Sequence, residues 1–414
     1  MRSTFWIVAL INFINALSFT ILIPTIYIYG KQFHLNEFET SLLFSIYSIA
    51  QFFATPIIGK LSDRFGRKPL LILSLLGTVV ANTLAGTATT AGMLFFARFL
   101  DGVTGGNISV AQAIITDITS PEERVKGFGV FGAALGLGFV VGPILSLIAQ
   151  QRSIGTSFLA SAGIAVIALT LTILRLPETL PVAKRQVSKL WDLGLDKLIS
   201  GLRIPGVGLL VFLNFLTGTT FTMFTFAFQP YYLKVLGQDN KSLTMLFFAF
   251  GILGVFMQTQ GIKVLTDRWK VSTVRILFLG LFFRSLCFGL MPIFPVIGYF
   301  VVVGMLFAVF NSLVQPTIST LVSLNTQPGE QGMTAGLNAS YLSIANGIGP
   351  VIAGLMIDQH ATKLAEMAEL AGAKVDPSNY VSYAYPLYAA GILTFLVLLL
   401  AVRSQQQYTP KPIH

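Results

Sequence analysis

Charge is what this sequence has least of. Asp, Glu, Lys and Arg make up 11% of its 414 residues, under half of the ~25% usual in a soluble domain. Hydrophobic residues make up 54%, more apolar surface than a water-soluble fold of this length could hide. Cysteine is scarcer still. Cys287 stands alone inside an apolar run, which excludes an intrachain disulfide and a cysteine metal cluster. It reads as a small core hydrophobe. The three histidines, His34, His360 and His414, fall outside the apolar runs. With no metal-ligand cluster and no nucleophile–base pair, the chain is not expected to be an enzyme or to hold a metal or cofactor. It also lacks the G-x-x-x-x-G-K-[ST] phosphate loop of an ATP-driven pump.

What is present is membrane-spanning sequence. The net charge of +10 does not indicate nucleic acid, because the cations lie in short loops between apolar segments and form no solvated basic patch. A spanning helix needs about 20 apolar residues. Twelve stretches qualify: 5–28, 40–60, 69–90, 93–118, 126–149, 154–174, 207–230, 241–262, 273–293, 295–322, 331–357 and 380–402. The first is too long for a signal peptide and has no cleavage site after it. Cationic loops face the cytoplasm. With the N-terminus inside, nineteen of the 27 Lys and Arg fall on that side and six outside, while Arg98 and Arg284 lie within spans. Both termini are therefore expected in the cytoplasm, in a plasma membrane, with the bacterial inner membrane as the expected site.

The longest cytoplasmic segment divides the chain into residues 1–174, a linker 175–206 and residues 207–414. The linker stretch VSKLWDLGLDKLISGL has apolar residues near helical spacing and a basic face. It reads either as an interfacial amphipathic helix or as a plain linker. The two halves echo each other. Asp63-Arg64 recurs as Asp267-Arg268 at an offset of 204. Pro121 and Glu123 match Pro328 and Glu330, Gly142-Pro143 matches Gly349-Pro350, and Gln51 matches Gln258, all at 207. Duplicated six-helix halves are a transporter architecture, with the substrate site where the halves meet. The expected fold is thus all-α, with twelve transmembrane helices in two pseudo-symmetric six-helix bundles. A two-fold repeat argues against a channel.

Three motifs carry more than topology. GKLSDRFGRKP, between the second and third spans, places Gly59, Asp63, Arg64, Gly66, Arg67 and Lys68 in one loop. Gly59 would permit close helix approach, Gly66 a tight turn, and Pro69 suits the first turn of the next helix. A positive-inside loop explains the cations but neither the aspartate nor the glycines. In span four, RFLDGVTGG contains Arg98, Asp101 and Gly102. An arginine there costs at least ~2.5–3.5 kcal/mol on insertion scales, so it needs a partner. Asp101 lies three residues on, on the same helix face, and is the one acid well inside any span. Two readings stay open: a structural ion pair, or a group that takes up and releases a coupling proton while Arg98 tunes it. In span five, GAALGLGFVVGP holds Gly132, Gly136, Gly138, Gly142 and Pro143. Its small-xxx-small pairs allow close helix packing.

On these residues the chain resembles the major facilitator superfamily over essentially its whole length. GKLSDRFGRKP resembles the signature loop G-x-x-x-D-R-x-G-R-[RK], with every defining position filled. RFLDGVTGG resembles the R-x-x-x-G pattern of proton-coupled exporters, and Gly142-Pro143 the motif of antiporters. Ser146-Leu147 stands where that motif usually continues with Gly-Gly. The likeness is strongest to the twelve-span drug:proton antiporters, tetracycline-efflux-like proteins among them. It implies that Asp63 faces the start of span eleven and that Arg64 or Arg67 pairs with Asp117, latching the halves together on the cytoplasmic side. Many relatives carry an acid in the first span, where this chain has Asn12 and Asn15. That points the coupling role to Asp101.

The other polar residues within spans are candidates for a substrate cavity or for glue between helices. They include Asn12, Asn15, Asn214, Gln258, Arg284, Asn311, Gln315 and Asn338. Phe221, Phe224, Phe226 and Phe228 would form an apolar cavity wall or face lipid. Arg284 would bind an anionic substrate group or snorkel to the interface. The loop HATKLAEMAELAGAKVDPSNY after span eleven reads as a short surface helix. The expected partners are a small-molecule substrate, protons and the lipid bilayer, and a monomer is expected. The leading function is export of a small, largely hydrophobic compound in exchange for protons, of the kind that confers antibiotic resistance. The alternative is a facilitator or proton symporter importing a small solute or organic anion.

Overall fold

The computed structural model describes residues 2–119, 124–185, 199–326, 331–370 and 380–408. Long helices make up nearly all of it: α1 (Arg2–Thr20), α2 (Ile23–Gln32), α3 (Glu37–Phe65), α4 (Arg67–Gly86), α5 (Ala91–Thr104), α6 (Asn107–Ile118), α7 (Arg124–Gln150) and α8 (Gly155–Arg175). After the linker come α9 (Val207–Pro230), α10 (Asn240–Phe256), α11 (Thr273–Leu290), α12 (Ile297–Asn325), α13 (Gln331–Leu370) and α14 (Tyr380–Arg403). Among the described residues, nine helices are long and apolar enough to cross a membrane. Shorter apolar stretches, Phe5–Ile14 and Gly136–Gln150, lie in the first and fifth expected spans.

Local chemistry fixes several helix starts. Thr90 Oγ1 accepts from Met93 N at 3.2 Å to cap α5, and Asp239 Oδ1 accepts from Ser242 N at 2.9 Å to cap α10. The Ser242 hydroxyl and amide hold the Asp239 carboxyl below the usual carboxylate range. Ser272 Oγ accepts from Arg275 N at 3.4 Å before α11.

Three expected spans differ in detail. The first divides into α1 and α2, with Pro24 in the first turn of α2, where its missing N–H costs nothing. The fourth is not one helix: α5 ends at Thr104 and α6 begins at Asn107, with Gly105-Gly106 between. A Cβ at Gly106 would stand 2.6 Å from Ile58 Cβ, so the break lets span four approach span two. The eleventh overruns its expected end, since α13 continues unbroken for 40 residues to Leu370. The first part of the polar loop expected as a separate surface helix is therefore an extension of that span. Residues 371–379, the linker stretch 186–198 with its proposed amphipathic helix, and the echo of Pro121 and Glu123 in Pro328 and Glu330 lie outside the described residues.

The chain forms two compact units, Met1–Leu35 with Ile46–Gly194 and Asn36–Ser45 with Leu195–His414. Ten residues around the start of α3 thus group with the second unit. In the first unit α1 packs on α7 and α8, and α4 packs on α8 and α5. Val8, Ile11, Leu71, Leu75, Val110 and Ile114 meet in its core. In the second unit α9 packs on α13 and α14, and α11 packs on α12 and α14. Leu210, Leu213, Leu277, Leu281, Ile318 and Leu321 are fully buried there. Phe224 and Phe228 extend this core, with Phe224 against Phe288 and Phe307, and Phe228 against Phe247, Phe250 and Phe300. Phe226 is also buried and only Phe221 is exposed. The phenylalanines of span seven are mainly bundle core, correcting the cavity-wall and lipid-facing readings.

The sequence repeat has a structural counterpart in the packing. Thr20 Oγ1 donates to Gly138 O at 2.7 Å in the first unit. Thr222 Oγ1 donates to Ala345 O at 3.0 Å in the second. The two acceptors stand 207 positions apart, the interval that relates Gly142 to Gly349. A Cβ at Gly142 would collide with Thr20 Oγ1, and one at Gly349 with Thr222 Oγ1. Each glycine lets one helix close on another, as in membrane helix pairs generally.

Candidate functional site

Within the first unit, span four presents a buried ion pair. Arg98 and Asp101 are 5% and 8% exposed, and Arg98 Nη1 donates to Asp101 Oδ2 at 3.3 Å. The guanidinium lies over the ring of Tyr47, 4.4 Å from its centroid, and the Thr78 side chain reaches the carboxylate. Gln51 Nε2 bonds Tyr47 Oη at 3.1 Å and Gly105 O at 2.9 Å, tying α3 to the break after α5. Gly102 is what allows this approach, because a Cβ there would lie 2.7 Å from Ala50 Cβ and closer still to Tyr47 O. A cation, a carboxylate, a phenol and a hydroxyl thus meet in one buried polar cluster between α3, α4 and α5. Such an environment can hold a proton or pass one on.

A second cluster is built by GKLSDRFGRKP. Arg67 is its hub: Nη1 contacts Asp63 Oδ1 at 2.6 Å and Ser62 Oγ at 2.7 Å, and Nε donates to Asp117 Oδ2 at 3.1 Å. Of the two arginines offered as partners for Asp117, Arg67 takes the role, while Arg64 lies over the Phe65 ring at 5.3 Å. Lys68 Nζ donates to Ile173 O at 2.8 Å. Gly66 has φ +110°, a left-handed conformation that favours glycine. Gly59 does not mark a close approach, for the nearest atom to a Cβ there is Ser109 Oγ at 4.0 Å. The side chains of residues 331–333, at the start of span eleven, which the resemblance sets opposite Asp63, lie outside those described.

Sequence reading missed one member of this cluster. Glu178, just past α8, accepts from Arg67 N at 2.9 Å, Lys68 N at 3.2 Å and Leu180 N at 2.9 Å. It occupies the N-terminus of α4, where the helix dipole favours an anion. Thr179 Oγ1 adds a bond to Asp117 Oδ2 at 3.2 Å. No sequence spacing could have shown this, because Glu178 lies 110 and 111 positions from its amide partners on α4.

The antiporter-like helix, α7, runs unbroken through Pro143. A Cβ at Gly138 would lie 2.5 Å from Ala16 Cβ. Ser146, in place of the usual glycine, joins a polar seam with Thr25 at 2.9 Å and Gln150 at 2.6 Å. Gly136 lies on the same helix, and the surroundings of Gly132 fall outside the described residues.

The cavity candidates scatter. Asn12 is buried, and the side chain of Asn15 lies outside those described. Asn214 Nδ2 donates to Asn338 Oδ1 at 2.7 Å, joining α9 to α13 as helix glue. Gln258 is exposed, and Asn311 and Gln315 are half-buried on α12. Arg284 does not snorkel. It is 2% exposed, and Nη2 donates to Thr217 O at 2.6 Å and Thr220 Oγ1 at 2.8 Å. Its guanidinium lies over Phe288 and Phe221, with Nε buried and unbonded. No acid pairs with it among the described residues.

The family model described as Major Facilitator Superfamily matches residues 8–350 and 210–413. Multidrug resistance protein 1 of Bacillus subtilis (strain 168) is 27% identical over 84% of this chain and 87% of its own length. Tetracycline resistance protein, class B, of Escherichia coli is 26% identical over 85% and 88%. Among solved structures, a bacterial homolog to the human lysosomal transporter Spinster, inward-facing and unoccupied, aligns at a TM-score of 0.77. It covers 99% of this chain and 98% of that one at 14% identity. The human organic anion transporter MFSD10 (TETRAN) aligns at 0.69, with 20% identity over 96% and 99%. The helical architecture, the paired units and these matches agree: the chain belongs to the Major Facilitator Superfamily, and is a multi-pass membrane transporter with no enzymatic role.

Proposed function

We propose that the protein exports a small, largely hydrophobic compound in exchange for protons, with Asp101 as the proton-carrying group. The observation that carries this reading is the enclosure of the Asp101 carboxylate beside Arg98, Tyr47 and Thr78. A carboxylate in hydrocarbon is costly as an anion, and a nearby arginine offsets that cost. Competition between the two makes the site sensitive to proton supply. The names of the multidrug and tetracycline resistance relatives support export of a drug-like compound. The bias of Lys and Arg puts both termini in the cytoplasm, in a plasma membrane such as the bacterial inner membrane. The Arg67 cluster then lies at the cytoplasmic face, where it acts as the conformational latch. The transporter works as a monomer.

The test is transport in proteoliposomes under an imposed pH gradient. Dissipating the gradient should stop export, and Asp101→Asn should uncouple it while binding persists. Export that continues at full rate without a gradient overturns the reading.

Arg284 favours a second reading, carriage of an organic anion. A buried guanidinium without a carboxylate partner among the described residues lacks the counter-charge that Arg98 has. Accumulation of an anionic dye that Arg284→Gln abolishes would establish this alternative.

A further inference from the structure

The flank where α11 packs on α14 carries an apolar crevice of about 360 Å³. Both helices are long and apolar enough to cross a membrane. Phe282 and Leu286 of α11 and Ile392 and Phe395 of α14 line it and are exposed, whereas Ser285 and Gly391 between them are buried. The lining is thus a slot, with exposed apolar rims and a buried floor. Two glycines shape it in different ways. Gly391 closes one helix on the other, since a Cβ there would stand 3.2 Å from Gly289 N and from Ser285 O. Gly289 does not mark a close approach, for a Cβ on it would meet nothing within 4 Å. It leaves open a space that a side chain could enter.

We propose that this slot seats one acyl chain of a membrane phospholipid, lying along α11 and α14 in the leaflet nearest the turn from α11 to α12. Three observations carry this. First, the slot is continuous with the membrane-facing surface. Its rims run on into Leu279, Leu396 and Leu399 of the same two helices, all exposed, and on spanning helices such a surface meets hydrocarbon. Second, its chemistry suits hydrocarbon and little else. Among the described residues no charged side chain lines it, and the Ser285 hydroxyl is already bonded, donating to Phe282 O at 2.9 Å. An apolar cavity of this kind stays dry and takes apolar guests. Third, its length fits a chain. From Phe282 to Leu290, the last residue of α11, the helix rises about 12 Å, most of the ~15 Å that makes half of a hydrocarbon core. Close-packed proteins seldom leave a void larger than a water molecule, because lining atoms without neighbours forfeit their dispersion contacts. A recessed slot of this form admits a linear, flexible chain more readily than the flank of a second copy. The chain then acts as the side chain that Gly289 lacks, and it does so whatever solute or ion the transporter carries.

The experiment uses the full chain in phosphatidylcholine nanodiscs that contain a small fraction of phosphatidylcholine with a diazirine in one acyl chain. After irradiation, mass spectrometry of the digested protein should find adducts on Ser285 and Gly391 several-fold above those on Leu159, an exposed residue of α8. A chain that only brushes the surface does not reach the two buried positions. Gly289→Leu fills the slot from within and should abolish those adducts while leaving Leu159 labelled. Gly289→Val is the second variant if the first fails to fold. In native mass spectrometry the wild type should retain one phospholipid more than the filled variant. Labelling of Ser285 and Gly391 no stronger than that of Leu159 makes the slot ordinary bilayer contact and overturns the proposal. So does labelling that both variants leave unchanged, or a two-chain assembly in place of bound lipid whose formation Gly289→Leu blocks.

Discussion

Glu178 sits directly against Gly66. A Cβ on that glycine would collide with Glu178 Oε2, and the same carboxylate takes the first amides of α4. The turn into α4, its cap and the Arg67 hub are therefore one construction.

Glu178→Ala should remove the cap and lower stability by about 1 kcal/mol. Gly66→Ala should cost more, since it adds strain at φ +110° to the collision. Thermal unfolding of the purified protein should rank the two in that order. A Gly66→Ala variant as stable as the wild type would contradict this account of the turn.

Arg98 and Asp101 lend themselves to a double-mutant cycle. Removing one partner of a buried ion pair costs about 3–5 kcal/mol, whereas replacing both with apolar residues of similar size is often neutral. Arg98→Met and Asp101→Leu should each destabilise the protein, and the double variant should recover most of the loss. Under the proposed role of Asp101, transport should not recover, because the proposed proton-carrying group is gone. A double variant that still exchanges protons for solute would move the coupling role elsewhere.

Much of this site could be read from the chain because charge is rare in it. Arg98, Asp101 and the GKLSDRFGRKP cations stand out against apolar surroundings, and i,i+3 spacing placed the first pair on one face. Glu178 did not stand out. It lies at a span end, where charge is ordinary, and its amide partners on α4 are 110 and 111 positions away. The Gly105-Gly106 break was also hidden, since glycine is tolerated inside membrane helices. The span-seven phenylalanines were ambiguous because a uniformly apolar helix has no face that sequence can assign.

The repeated halves predict paired effects. Gly142→Ala and Gly349→Ala each push a methyl into a threonine hydroxyl on a facing helix, overpacking that typically costs 1–3 kcal/mol. The two should therefore destabilise to a similar degree, and Thr20→Ala and Thr222→Ala should each relieve the corresponding glycine variant in thermal unfolding. Relief across the wrong pair, Thr20→Ala rescuing Gly349→Ala, would break the correspondence.

Arg284 gives the opposite expectation to Arg98. Its carbonyl acceptor, Thr217 O, also accepts from Thr220 Oγ1 at 3.1 Å, so deleting the arginine leaves that oxygen bonded. No described carboxylate loses a partner. Taking an uncompensated cation out of a buried site removes its desolvation penalty, and apolar replacements of buried charge are commonly neutral or stabilising. Arg284→Met should accordingly unfold within about 1 kcal/mol of the wild type or above it. Melting curves in detergent, with and without an amphiphilic organic anion, measure this directly. If Arg284 receives an anionic group, the anion should stabilise the wild type and leave Arg284→Met unmoved. An equal shift in both would make Arg284 a structural residue that ties α11 to α9.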